Sequence, residues 1–374
     1  MSTPKTCATV IFLALITSHG NLCAFHIDNP GSKAIPAKTN LPVHKFFHDE
    51  LFFAQGYTIE TNPLYLLQAA KDTLVYLQTR QKNRSSITNP STFTDLLSYA
   101  KVVETLKFII TTTEQDKKTG RYRLTDPTFL QKNFSCIAWH ADRNGAQRNG
   151  IKLTNNNIRL TSYAIFSVKG NHRKTADYPC ALYALKNNTI KTQFTKQQIL
   201  AGILERSAYR NNYKALAWVS RQSLEDALIH GTVLVHFHDG SSKIFQVNKH
   251  NNIAYNKKNK NMLTQKRYWF FKELKGSTRL QGNLIDRFKM RKQVIFAGDI
   301  NHIGIGKVIA ITHRNPLTNK KEMCLGILAD TGGAFTNNLY QLDLFAGIIN
   351  GHAQYQHYLK CLPPTTKACV LYKI

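Results

Sequence analysis

The sequence predicts a mainly β protein with a helical N-terminal part, and three observations carry that expectation. Between residues 62 and 131, apolar side chains recur at helical spacing: Tyr65, Leu66, Ala69, Leu74 and Leu77, then Leu96, Tyr99, Val103, Leu106 and Ile110. From about residue 158 the apolar residues gather instead into short β-prone runs. Neither β-rich block shows the strand–helix alternation of a parallel doubly wound sheet.

The elements follow in order. A Pro- and Lys-containing lead from Asn29 to Lys45 precedes the helical part, which is broken by Pro90 and by a Lys-rich turn near residue 117. Strands are expected at 160–168, 180–185, 232–237 and 243–247, with Asp239-Gly240 as the turn between the last two. Only 196–207 and 223–229 read as helices in that block. The final block offers strands at 293–297, 307–312, 324–329 and 369–372.

Composition bounds the function. With 374 residues and 43% apolar content, the chain is globular and long enough for one large or two ordinary domains. Its 50 Lys and Arg against 22 Asp and Glu give a formal charge of +28. That charge predicts non-specific binding of polyanions and points to no specific nucleic acid. The 14 His are scattered, and His236 and His238 alternate along a strand without nearby acidic partners, so no metal site is expected.

The N-terminus predicts export. Residues 7–17 form an apolar run of signal-peptide length behind Lys5, and small residues place cleavage after Gly20 or after Ala24. Gly20 stands where a lipoprotein signal would need Leu ahead of Cys23, so a soluble periplasmic or secreted protein is expected. No later segment is long and apolar enough to span a bilayer. Of the seven cysteines, Cys7 would leave with the signal, and Cys136, Cys180, Cys324, Cys361 and Cys369 would stay. Their spacing leaves two readings open, a short bridge such as Cys361–Cys369 or buried free thiols.

From Gly298 onward the chain holds four carboxylate side chains, Asp299, Glu322, Asp330 and Asp343. The three Asp sit beside apolar runs and glycines. A carboxylate flanked by apolar residues loses hydration and its pKa rises, and a neighbouring ionised Asp adds to the rise. Such an acid can stay protonated long enough to donate to a glycosidic oxygen.

The pattern around these aspartates resembles the three-aspartate domain of the membrane-bound lytic transglycosylase A family. It comprises Ala297-Gly298-Asp299 with Ile303-Gly304-Ile305-Gly306, then Ala329-Asp330-Thr331-Gly332-Gly333-Ala334, then Asp343-Leu344-Phe345-Ala346-Gly347. Upstream, Leu160-Thr161-Ser162-Tyr163, Thr195 to Gly202, Leu216-Ala217-Trp218-Val219 and Tyr268-Trp269-Phe270-Phe271 are similar to further family segments. The resemblance covers about residues 158–374. It departs at His230-Gly231-Thr232, where the family has Gln-Gly-Ser, and in a nearly absent insert after Tyr255. Thr336-Asn337 replaces a Lys-Gly, and two extra residues precede Asp343.

The resemblance implies a double-psi β-barrel with a second, inserted β-domain. Its parts would be a signal peptide at 1–24, a helical segment of the barrel domain at 25–157, the insert at 158–275 and the three-aspartate domain at 276–374. It implies cleavage of peptidoglycan glycan strands to 1,6-anhydro ends without metal or cofactor. Asp343 would be the single acid/base, with Asp330 and Asp299 shaping its pKa and hydrogen bonding. Thr161, Tyr163, His230, Gly231, Thr232, Tyr255, Gly332 and Gly333 would line the glycan site. A non-catalytic wall-binding or secreted interaction protein on a degenerate form of this fold is the alternative that the departures favour.

Overall fold

The computed structural model describes residues 41–81, 91–256, 259, 261–276, 280 and 282–374. The expected signal peptide, with Cys7 and Cys23, and the break at Pro90 lie outside the described residues.

The helical lead carries the caps its sequence requires. After β1 (Phe47–Glu50) and β2 (Thr58–Ile59), α1 (Pro63–Gln81) opens on a proline. Proline lacks the N–H that a first turn leaves unpaired anyway. Asn62 Oδ1 accepts from the N–H groups of Leu64 and Tyr65. The short α2 (Ser91–Thr94) leads to α3 (Tyr99–Thr119), which Ser98 caps and Gly120 ends in the left-handed region at φ 72°. Asp126 caps α4 (Pro127–Asn133). One face of α3, with Val102, Leu106 and Ile109, joins the principal core.

Next come β3 (Phe134–Trp139), α5 (Arg143–Arg148), β4 (Ile158–Asn171), β5 (Cys180–Leu185), α6 (Lys196–Leu200) and β6 (Tyr213–Val219). They are followed by α7 (Arg221–His230), β7 (Thr232–Phe237), β8 (Ser242–His250) and β9 (Trp269–Glu273). The chain finishes with α8 (Leu284–Lys289), β10 (Ile295–Ala297), β11 (Val308–Arg314), β12 (Lys321–Asp330), β13 (Gln341–Ile349), α9 (His352–Lys360) and β14 (Thr365–Lys373).

All described strands join one sheet in the order β1-β3-β14-β11-β12-β10-β13-β4-β7-β8-β9, with β2, β5 and β6 attached beside this path. Because β14 also pairs β4, the six strands from β14 through β4 close into a ring. Strand β4 is shared. Its first part pairs β14 and β13, while Phe166 to Gly170 pairs β7 in parallel and Gly170-Asn171 pairs β6.

Two large cores result. Phe296, Ile309, Leu328, Leu342 and Val370 pack with Leu66 and Leu77 of α1 in the first, and Leu182, Val219, Leu224, Val235 and Phe270 form the second. Each core buries an ion pair. Lys196 Nζ lies 2.7 Å from Glu225, which also receives Arg221, and Arg291 pairs with Asp72 of α1. Removing one partner of such a pair strands a buried charge.

The fold is mixed helix and sheet, not mainly β. The expected helical segment at 25–157 contains β1, β2 and β3 outside its helical stretch, together with the short α5, while α8 and α9 interrupt the β-rich part. Those three helices have six, six and nine residues, too short for a periodic signal. Strand β13 escapes alternation because eight of its nine residues are buried, on both faces. The Cys361–Cys369 bridge does not form. Both thiols are free, and Cys361 points back to the His357 carbonyl at the end of α9.

Gly306 shows how tightly the lead packs on the ring. It has φ 94°, and an added Cβ would meet Leu77 Cδ1 at 2.8 Å and Val102 Cγ1 at 3.2 Å. Gly306→Ala should therefore destabilise by about 1–3 kcal/mol in urea unfolding. Gly240→Ala, with φ 80° but open space around it, should cost about 1 kcal/mol. Equal losses would show that helix packing against this turn contributes nothing.

Candidate active site

The sheet register sets three of the singled-out residues in one row. Ala297 of β10 is opposite Asp330 of β12 on one side and Asp343 of β13 on the other. Asp343 is in turn opposite Thr161 of β4. Residues 182 apart in the chain thus meet side by side. The parallel β4–β13 pairing repeats this with period two: Arg159 faces Gln341, Thr161 faces Asp343, and Tyr163 faces Phe345.

Asp343 accepts hydrogen bonds on one oxygen. The Thr161 hydroxyl donates to Oδ1, and Gln341 Nε2 donates to the same atom at 2.9 Å. Among the described residues no donor reaches Oδ2. Burial pushes the carboxyl up to about 6, against the Gln341 hydrogen bond and the Arg159 charge, which both lower it. Burial does this work, not a neighbouring carboxylate as the sequence suggested. Asp343 is still the most accessible of the three at 9% exposed, against 1% for Asp330 and 0% for Asp299.

The other two aspartates are tied into backbone. Asp330 Oδ1 accepts from the Thr331 N–H at 2.8 Å, and its Oδ2 accepts from the Tyr163 hydroxyl at 2.9 Å. Burial, and then Asp330 itself, hold that phenol well above its usual range. Asp299 Oδ2 receives the Asn338 N–H at 2.9 Å and lies 2.8 Å from His302 Nδ1. It thereby pins the turn after β10 to the loop before β13.

The remaining expected positions divide. Thr161 and Tyr163 touch Asp343 and Asp330 directly. Gly332 and Gly333 follow Asp330 into a short 3-10 turn. His230 ends α7, with its ring 4.8 Å from Phe166 and 5.0 Å from Tyr355. Burial pushes His230 down to about 3, so it is neutral. Gly231 caps α7 at φ 78°, and Thr232, 1% exposed, begins β7. Tyr255 sits apart, with its hydroxyl on Met262 Sδ at 3.4 Å within its own loop.

Sequence reasoning missed Gln341, Arg159, Tyr355 and Arg291. The first two lie two residues before Asp343 and Thr161, so strand alternation could have found them. Tyr355 donates to the Ser162 carbonyl at 2.7 Å, and the Asp343 carboxylate adds to the burial that raises its phenol. Arg291 is fully buried, and its charge reaches Tyr163. Among the described residues no three His, Cys, Asp or Glu are placed to hold a metal ion. No described helix is long and apolar enough to cross a membrane.

No protein-family model matches the sequence, and no curated protein is recognisably similar to it. Solved structures do match. MltA from Escherichia coli with bound chitohexaose aligns with a TM-score of 0.55 at 15% identity, over 92% of this chain and 98% of that one. The membrane-bound lytic murein transglycosylase of Agrobacterium tumefaciens aligns with a TM-score of 0.51 at 12% identity, over 84% and 93%. A second Escherichia coli MltA structure, described as a unique lytic transglycosylase fold, gives 0.50 at 15% identity, over 92% and 100%. At such identities the likeness is one of architecture, and it extends along nearly the whole of each chain. The protein has the fold of the MltA lytic transglycosylases.

Proposed function

We propose that this chain is a lytic transglycosylase that cleaves the β-1,4 bond between N-acetylmuramic acid and N-acetylglucosamine in peptidoglycan, leaving 1,6-anhydro ends. The observation that carries the reading is Asp343: a buried carboxyl, raised to about 6, with both its hydrogen bonds on Oδ1. In this reading the six-stranded ring is a double-psi β-barrel formed by the first part of β4 together with the strands of 276–374, and the helical segment packs against it. Residues 158–275 form the inserted β-domain, entered through β4, and the glycan strand lies between the two. Chitohexaose bound to Escherichia coli MltA is the precedent for a glycan on this fold. The protein acts in the periplasm or outside the cell, and its charge of +28 adds salt-sensitive attraction to acidic polymers.

One carboxyl suffices for the chemistry. Protonated Asp343 donates to the oxygen that leaves the anomeric carbon of the muramic residue. The resulting carboxylate takes the proton from the 6-hydroxyl of that sugar, whose oxygen closes on the anomeric carbon. One C–O bond breaks, one forms, and the proton returns to Asp343. No water is consumed, in contrast to the paired carboxylates of hydrolytic glycosidases. Thr161 and Gln341 fix Oδ1 and leave Oδ2 for the sugar. Asp330 and Asp299 act as positioning residues.

Purified sacculi incubated with the protein should release muropeptides lighter than their hydrolysed equivalents by one water, as read by mass spectrometry. Reducing muramic ends would mean hydrolysis and overturn the single-carboxyl mechanism. Glycan binding without any soluble product would establish the wall-binding alternative.

Only protonated Asp343 can start the reaction, so kcat/KM should fall as pH climbs through about 6. Asp343→Asn should lower activity by about 10²–10⁴-fold. Its stability should move the other way. A carboxyl raised from 3.8 to about 6 on folding contributes stability below the lower value and loses it across that interval. Asparagine never ionises, so the variant should melt above wild type at neutral pH and level with it at strongly acid pH.

Tyr163→Phe deletes the hydroxyl on Asp330 but keeps the ring contact with Phe345 at 5.2 Å. It should cost about 1–3 kcal/mol of stability and less activity than Asp343→Asn. The midpoint of the pH–rate profile should stay in place. A moved midpoint would mean that Asp330 and Asp343 titrate together.

A further inference from the structure

We propose that Cys136 and Cys369 form a disulfide that links β3 to β14, closed in an oxidising compartment by a thiol–disulfide oxidant. The inference is independent of the transglycosylase reading. Antiparallel pairing sets Cys136 opposite Leu371 and Cys369 opposite Ala138, so the two cysteines are diagonal neighbours on one face. Right-handed twist draws one diagonal of such a pair together, and a disulfide needs that closeness. The two thiols are close enough to influence one another, and the Cys136 thiol also donates to the Glu50 carbonyl at 3.2 Å. The contact between the thiols holds the Cys136 thiol below its ordinary range and the Cys369 thiol above it.

The other described cysteines are committed elsewhere. Cys361 faces the His357 carbonyl, Cys180 belongs to the second core, and Cys324 sits on β12 opposite Ile311. Cys369 is partly exposed and gives an oxidant access, whereas Cys136 is 5% exposed. In the reaction both thiols lose a proton and together give up two electrons as the S–S bond forms. The disulfide of the oxidant is reduced to two thiols. The bond would close a loop from residue 136 to residue 369, and long loops gain most from closure. It would also secure the strand that completes the ring, since Thr365 of β14 is paired with Arg159 of β4.

The test is a peptide map of the native full chain after exposure to oxidised glutathione, with free thiols alkylated before digestion. A linked peptide holding Cys136 and Cys369, about two mass units lighter than the dithiol pair, is expected. Cys361→Ser should leave that link intact, and Cys136→Ser or Cys369→Ser should abolish it. Reduction should lower the melting temperature of wild type by several degrees and leave that of Cys136→Ser unchanged. The proposal falls if both cysteines are recovered alkylated or separately glutathionylated, or if Cys369 is joined to Cys361. Because wild type alone decides this, a variant that fails to fold does not rescue the idea.

Discussion

The parallel pairing of β4 with β13 is the constraint on which the rest depends. It brings together segments 182 residues apart in the chain, and its register is fixed by burial on both strands. A one-residue slip would turn Asp343 and Thr161 to opposite faces. The same slip would pull Leu342 and Leu344, which are 0% and 1% exposed, out of their places in the principal core. The hydrophobic effect therefore holds the polar row in place, and the site inherits the precision of the core. Strand β4 also passes on to pair β7, so the second core is built on the same strand that carries Thr161 and Tyr163.

Around that row, the other buried polar groups are held in contacts that specify geometry. Asp299 anchors two loops through His302 and Asn338. Asp330 joins Tyr163 to the turn at Thr331. Arg291, paired with Asp72 of α1, brings the helical lead into electrical contact with Tyr163. Buried ion pairs add little net stability but are costly to break, so they fix which helix packs where. Elsewhere, α7 meets α9 through Asp226 and His352, 2.6 Å apart, next to Phe166.

What the sequence revealed follows the range of its signals. Strands with regular apolar runs, such as Cys180–Leu185 and Thr232–Phe237, matched residue for residue. Asp343 was singled out by motif, yet its strand was not recognised, because β13 is buried on both faces and shows no alternation. Gln341 was lost with it. Apart from the β11–β12 hairpin, the pairings of the ring join strands far apart in the chain and leave no local trace. The nearness of Cys136 to Cys369 is of the same kind, because it comes from the β3–β14 pairing and not from sequence distance.

The arrangement of Arg159 and Gln341 explains how a chain this basic keeps one carboxyl raised. With 50 Lys and Arg in the sequence, a cation directly on Asp343 would pull its pKa down and fix it as a carboxylate. Arg159 is the nearest candidate by register, but its Nη1 reaches Gln341 Oε1 at 3.4 Å. Gln341 then presents its amide N–H to Asp343. The glutamine thus acts as a neutral spacer, passing on a dipole where direct contact would pass on a charge. Burial outweighs that dipole and the charge of Arg159, and the carboxyl remains near 6. A second acid at this position would compete for the same proton. The protein avoids that by giving Asp330 its own donors, Tyr163 and Thr331, on the far side of Ala297.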